Sequence, residues 1–242
     1  MTTSGNTVFN LNLNELIEEA FERCGAELRT GYDFRTARRS LNLLTIEWAN
    51  RGINLWTIEQ GQIAMNQGQI VYDLPVDTID LLDHVIRTQT GQGQTDINIT
   101  RISIDTYSTI PNKNAQGRPI QVWINRQSGA TEPVTGVANP QINVWPAPEQ
   151  SDYYTFVYWR LRRIQDAGNG ITTQDIPFRF LPCMVAGLAY HLSKKIPGAL
   201  ERTQMLKMEY EELWQQAADE DREKAALRIC LLYTSPSPRD RG

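Results

Sequence analysis

Near the start of the chain, apolar positions recur at steps of three and four. Leu13, Leu16, Ile17, Ala20, Phe21 and Cys24 fall on one stripe, the spacing that puts side chains on one face of an α-helix. Asn12 followed by Glu15 predicts an N-cap and a capping-box partner, and Gly25 supplies the stop. A second helix is expected after "TGYD", with Asp33 as its cap. Phe34, Ala37, Leu41, Leu44 and Trp48 form its stripe and Gly52 its end. Arg35, Arg38 and Arg39 lie off that stripe, where solvated salt bridges are the expected use.

The pattern then changes period. Within "LWTIEQGQIAMNQGQIVYDLP", Gln-Gly-Gln-Ile occurs at 60–63 and again at 67–70. This predicts a hairpin turning at Asn66 to Gly68, because Asn and Gly tolerate positive φ. "HVIRTQT", "INITRISI", "IQVWINRQ", "QINVWPAP" and "YYTFVYWRLRRI" read as further strands at hairpin and meander spacing. Val122 and Ile124 alternate with Trp123 and Asn125, as in an antiparallel sheet with one covered face. Helical spacing returns in "IPFRFLPCMVAGLAYHLSKK", with Pro182 suited to a first turn. "IPG" interrupts it. A long helix is expected from near Ala199 to about Arg228, a rod of roughly 40 Å at 1.5 Å per residue.

The fold class expected is α+β. A bundle of about four helices is assembled from a hairpin at 12–54 and a pair at 175–228, around an inserted antiparallel β domain at 55–165.

Composition narrows what such a fold does. The 242 residues carry a net charge of -4, so no global basic field would hold nucleic acid or anionic lipid. No apolar run is long enough to span a membrane. "MTTSGNTVFNLNL" lacks the basic and apolar regions of a secretory signal, so a soluble protein made in the cytoplasm is expected. Cys24, Cys183 and Cys230 are too scattered for a disulfide framework or a zinc site and should be buried thiols. His84 and His191 sit in different blocks, and no local motif supplies an activated serine for either. His191, beside Leu188 and Leu192, reads as a core or interface residue. Asp77, Asp80 and Asp83 lack the Gly and closing Glu of a calcium loop. Glu18, Glu19 and Glu22 form a solvated face, and "GQGQ" at 91–94 a flexible loop. No catalytic residue, metal ligand or cofactor is therefore expected.

Three stretches together carry a resemblance: "FRTARRSLNLLTIEWANRGINLWTIEQ", "INVWPAPEQSDYYTFVYWRLRRIQDAG" and "FLPCMVAGLAYHLSKKIPGALERTQMLKMEYEELWQQAADEDREKA". In this order the sequence resembles the head-to-tail adaptors of short-tailed bacteriophages related to tail tubular protein A, over residues 12–228. The resemblance implies a structural ring protein of the virion head–tail junction, usually of twelve copies. Its partners would be the portal protein, the tail nozzle protein and itself, and double-stranded DNA would pass without specific binding. The resemblance carries no catalytic residues. An alternative from the residues alone is a carbohydrate-binding module with Trp123, Trp145 and Trp159 as platform; a peptidoglycan-cleaving enzyme is a third reading without a motif behind it.

Two expectations concern the end of the chain. Leu206, Tyr210, Leu213, Trp214 and Ala217 share one face of the long helix. Its first turns should pack on Met184, Val185, Leu188 and Leu192, and its second half should overhang. Tyr210, Leu213, Trp214 and Ala217 are therefore the candidate partner-interface residues. Residues 230–240, "CLLYTSPSPRD", resemble a translated sequencing-library adapter. Residues 230–242 are accordingly expected to add nothing to the fold, with the natural C-terminal residues missing.

Overall fold

The computed structural model of the protein describes Gly5 and residues 9–52, 55–89, 93–131 and 138–221, with the backbone alone at 127–131. The expected tail at 230–242 and the stretch from Trp214 on to Arg228 past Asp221 lie outside the described residues.

Helix α1 (Leu13–Cys24) forms as its sequence demands. Asn12 Oδ1 accepts the Glu15 N–H at 3.0 Å, and Glu15 Oε2 accepts the Asn12 N–H at 2.9 Å. All six stripe residues are buried, and Gly25 ends the helix at φ 74°, the left-handed region where a Cβ is strained. Helix α2 (Gly31–Arg51) is capped by Thr30 and not by Asp33. Thr30 has extended backbone and its Oγ1 accepts the Asp33 N–H, while Asp33 Oδ2 returns the bond to the Thr30 N–H at 3.1 Å. Asp33 is thus the third helical residue of a capping box, the place where a carboxylate also meets the positive end of the helix dipole.

The strands depart further from expectation. Strands β1 (Ile58–Ala64) and β2 (Val71–Asp73) do not pair. Asn66 to Gly68 does turn, with Gly68 at φ 71°, but the turn is a corner between two sheets. Met65 and Tyr72 on either side are buried between those sheets, and a flat hairpin would expose one of them. After β3 (Thr78–Thr88), "INITRISI" divides into β4 (Thr95–Asn98), the two-residue β5 (Thr100–Arg101) and a short helix α3 (Ile104–Ser108). Ser103 starts that helix by accepting the Thr106 N–H. Strands β6 (Gln121–Thr131), β7 (Ala138–Trp145) and β8 (Tyr154–Arg162) follow, with a cis peptide at Trp145–Pro146.

The order is β1-β8-β3-β4 in one sheet, antiparallel throughout, and β2-β7-β6-β5 in the other, where β5 runs parallel to β6. Meander spacing therefore misleads: β1 pairs with β8, its first residue Ile58 opposite Leu161. Leu81, Ile86, Phe156 and Tyr158 of one sheet meet Tyr72, Val122, Ile124, Ile142 and Val144 of the other in one cluster. Each such side chain contributes roughly 1.5–3 kcal/mol on burial.

Helix α4 (Leu181–Ser193) has Pro182 in its first turn and is buried nearly all round. After Gly198, at φ 87°, a 3-10 turn at Leu200–Arg202 leads into α5 (Thr203–Glu220). Helix α4 packs against α1, α2 and α5 in a second cluster. Among the described residues the architecture is α+β, with five α-helices and two four-stranded sheets.

Candidate partner interface

The residues of α5 divide by depth. Leu206 and Tyr210 are fully buried and Ala217 is 6% exposed, in the chain's own helical cluster. Leu213 and Trp214 are half-buried against the same cluster. Through Ala217 the helix therefore lies on the body, and the expected overhang is not seen in the described part. Of the candidate interface residues, Tyr210 presents no surface in the single chain and Ala217 little, whereas Leu213 and Trp214 are half-exposed.

Tyr210 is held on every side. Its hydroxyl accepts the Trp48 indole N–H at 3.0 Å and donates to Glu47 Oε1 at 3.1 Å. Burial, and then the Glu47 carboxylate, push its pKa far above the phenol range. Glu47 also meets Arg51 at 2.8 Å and His191 Nε2 at 3.2 Å. Burial lowers the His191 pKa against the pull of Glu47. The helix α4 backbone approaches this point through Gly187. A Cβ there would stand 2.8 Å from Tyr210 Cε2 and 3.0 Å from the Leu44 methyls, which accounts for a glycine within a helix.

Arg51 links this buried group to the surface. It makes a paired contact with both carboxylate oxygens of Glu211 at 2.9 Å, the geometry that suits a guanidinium best. Its Cζ lies 4.8 Å from the Trp214 ring centre and 5.4 Å from that of Tyr210. The hydrogen bond to Glu211 raises the Arg51 pKa and lowers that of Glu211. Trp214 is fixed by this cation over its face, while its covered indole N–H finds no acceptor among the described residues. Sequence reading missed Arg51; its signal was Glu47 one turn earlier, an i,i+4 pair.

A second polar group joins the helices to the strands. Arg160 meets Glu59 and Asp77, and Arg162 meets Glu59 and Asp175, with both arginines about one-tenth exposed. Trp56 donates to the Asp175 carbonyl at 2.9 Å and lies on Phe180, ring centres 4.9 Å apart. The Asp221 carboxylate accepts the Leu55 N–H.

Other singled-out residues are dispersed. Trp123 and Trp145 share the outer face of the second sheet, where Trp123 stacks on Tyr107 at 5.3 Å and Trp145 donates to the Asn112 carbonyl. Trp159 belongs to the other sheet, so the three form no common platform. Asp77 faces Arg160, Asp80 faces Arg101 and Arg126, and Asp83 accepts the His84 N–H. Among the described residues no group of acidic, His and Cys side chains could hold a metal ion, and no helix is long and apolar enough to cross a membrane. Cys24 and Cys183 are buried free thiols, raised by burial to about 11 and about 12. Cys230 and part of the "GQGQ" loop lie outside the described residues. The salt bridges expected of Arg35, Arg38 and Arg39 do not form among the described residues; all three side chains are exposed.

The polar groups around Tyr210 and Arg51 pair with one another, apart from the Trp214 indole N–H. Residues 11–230 match the family model of the SU10 adaptor protein. The chain belongs to that family, a family of bacteriophage head–tail adaptors. It is thus a structural adaptor of the phage particle, placed among other virion proteins at the head–tail junction. No curated protein matches the sequence.

Proposed function

We propose that the protein is a ring component that joins the portal protein to the tail nozzle protein and surrounds the DNA exit channel, in the manner of tail tubular protein A. The observation that carries this reading is the family match, which runs through both helical ends and all the strands between them. A ring of twelve copies follows the resemblance. The net charge of -4 suits a wall along which DNA passes without being held. In this reading residues 12–54 and 175–228 complete one helical domain, and residues 55–165 are an inserted β domain. Leu213 and Trp214 present the partner-facing side of α5, and Tyr210 and Ala217 hold that side in place from behind. The protein does no chemistry and needs no cofactor.

Negative-stain imaging of purified portal rings mixed with the protein tests this. Portal rings should gain a second tier of density at one end. Bare portal rings at saturating protein would remove the reading.

A further inference from the structure

Two helix faces of opposite charge lie on different parts of the helical cluster. Glu15, Glu18 and Glu22 are exposed at i, i+3 and i+7 on α1 and, with Phe9, Phe178 and Pro182, line a groove of about 750 Å³ between α1 and the start of α4. The arginines of that groove are already paired, Arg23 with Glu19 and Glu209 and Arg179 with Asp221. Glu18 and Glu22 have no cationic partner among the described residues. Phe9 and Phe178 are 71% and 74% exposed beside them.

The other face is on α2. Arg35, Arg38 and Arg39 line a depression with Asn42, and Asn42 also borders a second depression lined by Ile46 and Arg163. All four arginines are exposed and none has an ion partner among the described residues. Leu43 and Ile46 stand 54% and 58% exposed on the same helix. Asp166, which also lines that second depression, accepts the Gly168 N–H. No residue lines both surfaces, and α1 and α2 are joined chiefly through α4 between them.

Each face thus offers exposed apolar side chains beside unpaired charge, and the charges of the two faces are opposite in sign. We propose that the α2 arginine strip of one copy docks on the acidic α1–α4 groove of the next, a head-to-tail contact between copies of this chain. Two unlike faces on one subunit are what a closed ring requires. The apolar residues favour a protein occupant over DNA, for which Leu43 and Ile46 would be idle. This inference rests on the ring reading above and adds which surfaces meet.

The test is sedimentation velocity of the full chain, alone and with portal rings. One variant carries Arg35→Glu, Arg38→Glu and Arg39→Glu; another carries Glu18→Lys and Glu22→Lys. All these side chains are exposed, and circular dichroism checks that both variants fold. Each variant alone should self-associate roughly tenfold less or worse, because like charges then face each other. Their equimolar mixture should recover, because each supplies the face the other has reversed. Association of either variant at the wild-type level, or no recovery in the mixture, overturns the contact while leaving the ring reading intact. Loss of duplex DNA retention by the arginine variant with normal self-association assigns the strip to nucleic acid and also overturns it. If the wild type assembles neither alone nor on portal, both readings fall.

Discussion

The helical cluster and the strand cluster are built on different logic. In the helices, each segment carries its own instructions: a cap, a stripe, a stop. In the strands, the instructions lie in partners far along the chain. The helical cluster is filled chiefly with Leu and Ala around several aromatic rings, among them Trp48 and Tyr210, whose hydrogen bond fixes α2 on α5. The strand cluster relies on Tyr72, Tyr154, Phe156 and Tyr158 with Ile and Val between two sheets. Among the described residues, Trp56 and Arg162 reach from the one to the other, through Phe180 and Asp175.

The largest effect should come from Trp48→Ala, which empties a fully buried site and removes one of the two hydrogen-bond partners of the Tyr210 hydroxyl. A loss of about 3–5 kcal/mol is expected, read by urea unfolding. Hydrogen exchange should show α2, α4 and α5 losing protection while β8 and β3 keep theirs; joint loss would mean the two clusters are one cooperative unit. Next is Arg162→Ala, which leaves Asp175 and Glu59 without their shared cation. With Glu59 44% exposed, the cost should be about 2 kcal/mol. The unfolding transition should also broaden or split as the joint loosens. Trp214→Ala should cost the isolated chain only about 1–2 kcal/mol, since the ring is half-covered already, and should abolish capture by portal rings in a pull-down. A larger loss of stability with capture retained would return Trp214 to the core.

The smallest effect is a matter of pH, and each cluster contributes one histidine to it. Burial holds the pKa of both His84 and His191 below 6.5. Their neutral forms are the folded forms, so stability is complete above pH 6.5 and declines as pH falls below it toward the folded values. Asp175 and Glu211 sit below their usual 3.8 and 4.5. Their share is present above those values and is lost in a second, more acidic stage. Melting temperatures measured from neutral pH downward should fall in those two stages, and His191→Gln should blunt the first.

How much of this could be read from the sequence follows the same divide. The α1 stripe, its capping box and Gly25 were fully legible because every partner lies within a turn or two. Thr30 was overlooked because Asp33 is an equally good cap by type; only the extended backbone at Thr30 decides between them. The turn at Asn66 to Gly68 was legible, but its use as a corner was not. That depends on Tyr72 finding Ile142 as its neighbour on β7. The "ISI" of "INITRISI" has β-rich residues, yet Ser103 caps a helix there and tertiary context overrides propensity. The spacing shows that Tyr210, Leu213, Trp214 and Ala217 share one helix face, while the depth that separates Tyr210 from Trp214 depends on Glu47, Arg51 and Gly187. The solitary arginines of α2 were visible as residues but not as unpaired ones, since pairing is a fact of three dimensions.

The pairing of Ile58 with Leu161 has a mechanical consequence. The chain enters and leaves the strand region on adjacent strands, at the same end, beside the Glu59–Arg162–Asp175 joint. A pull separating strands from helices loads β1 and β8 together, so their mutual ladder is carried along and not sheared. Unzipping would have to begin at β3, the other neighbour of β8, whose ladder is long. Tension is therefore shared by two parallel load paths, and bending is concentrated where those paths cross the joint.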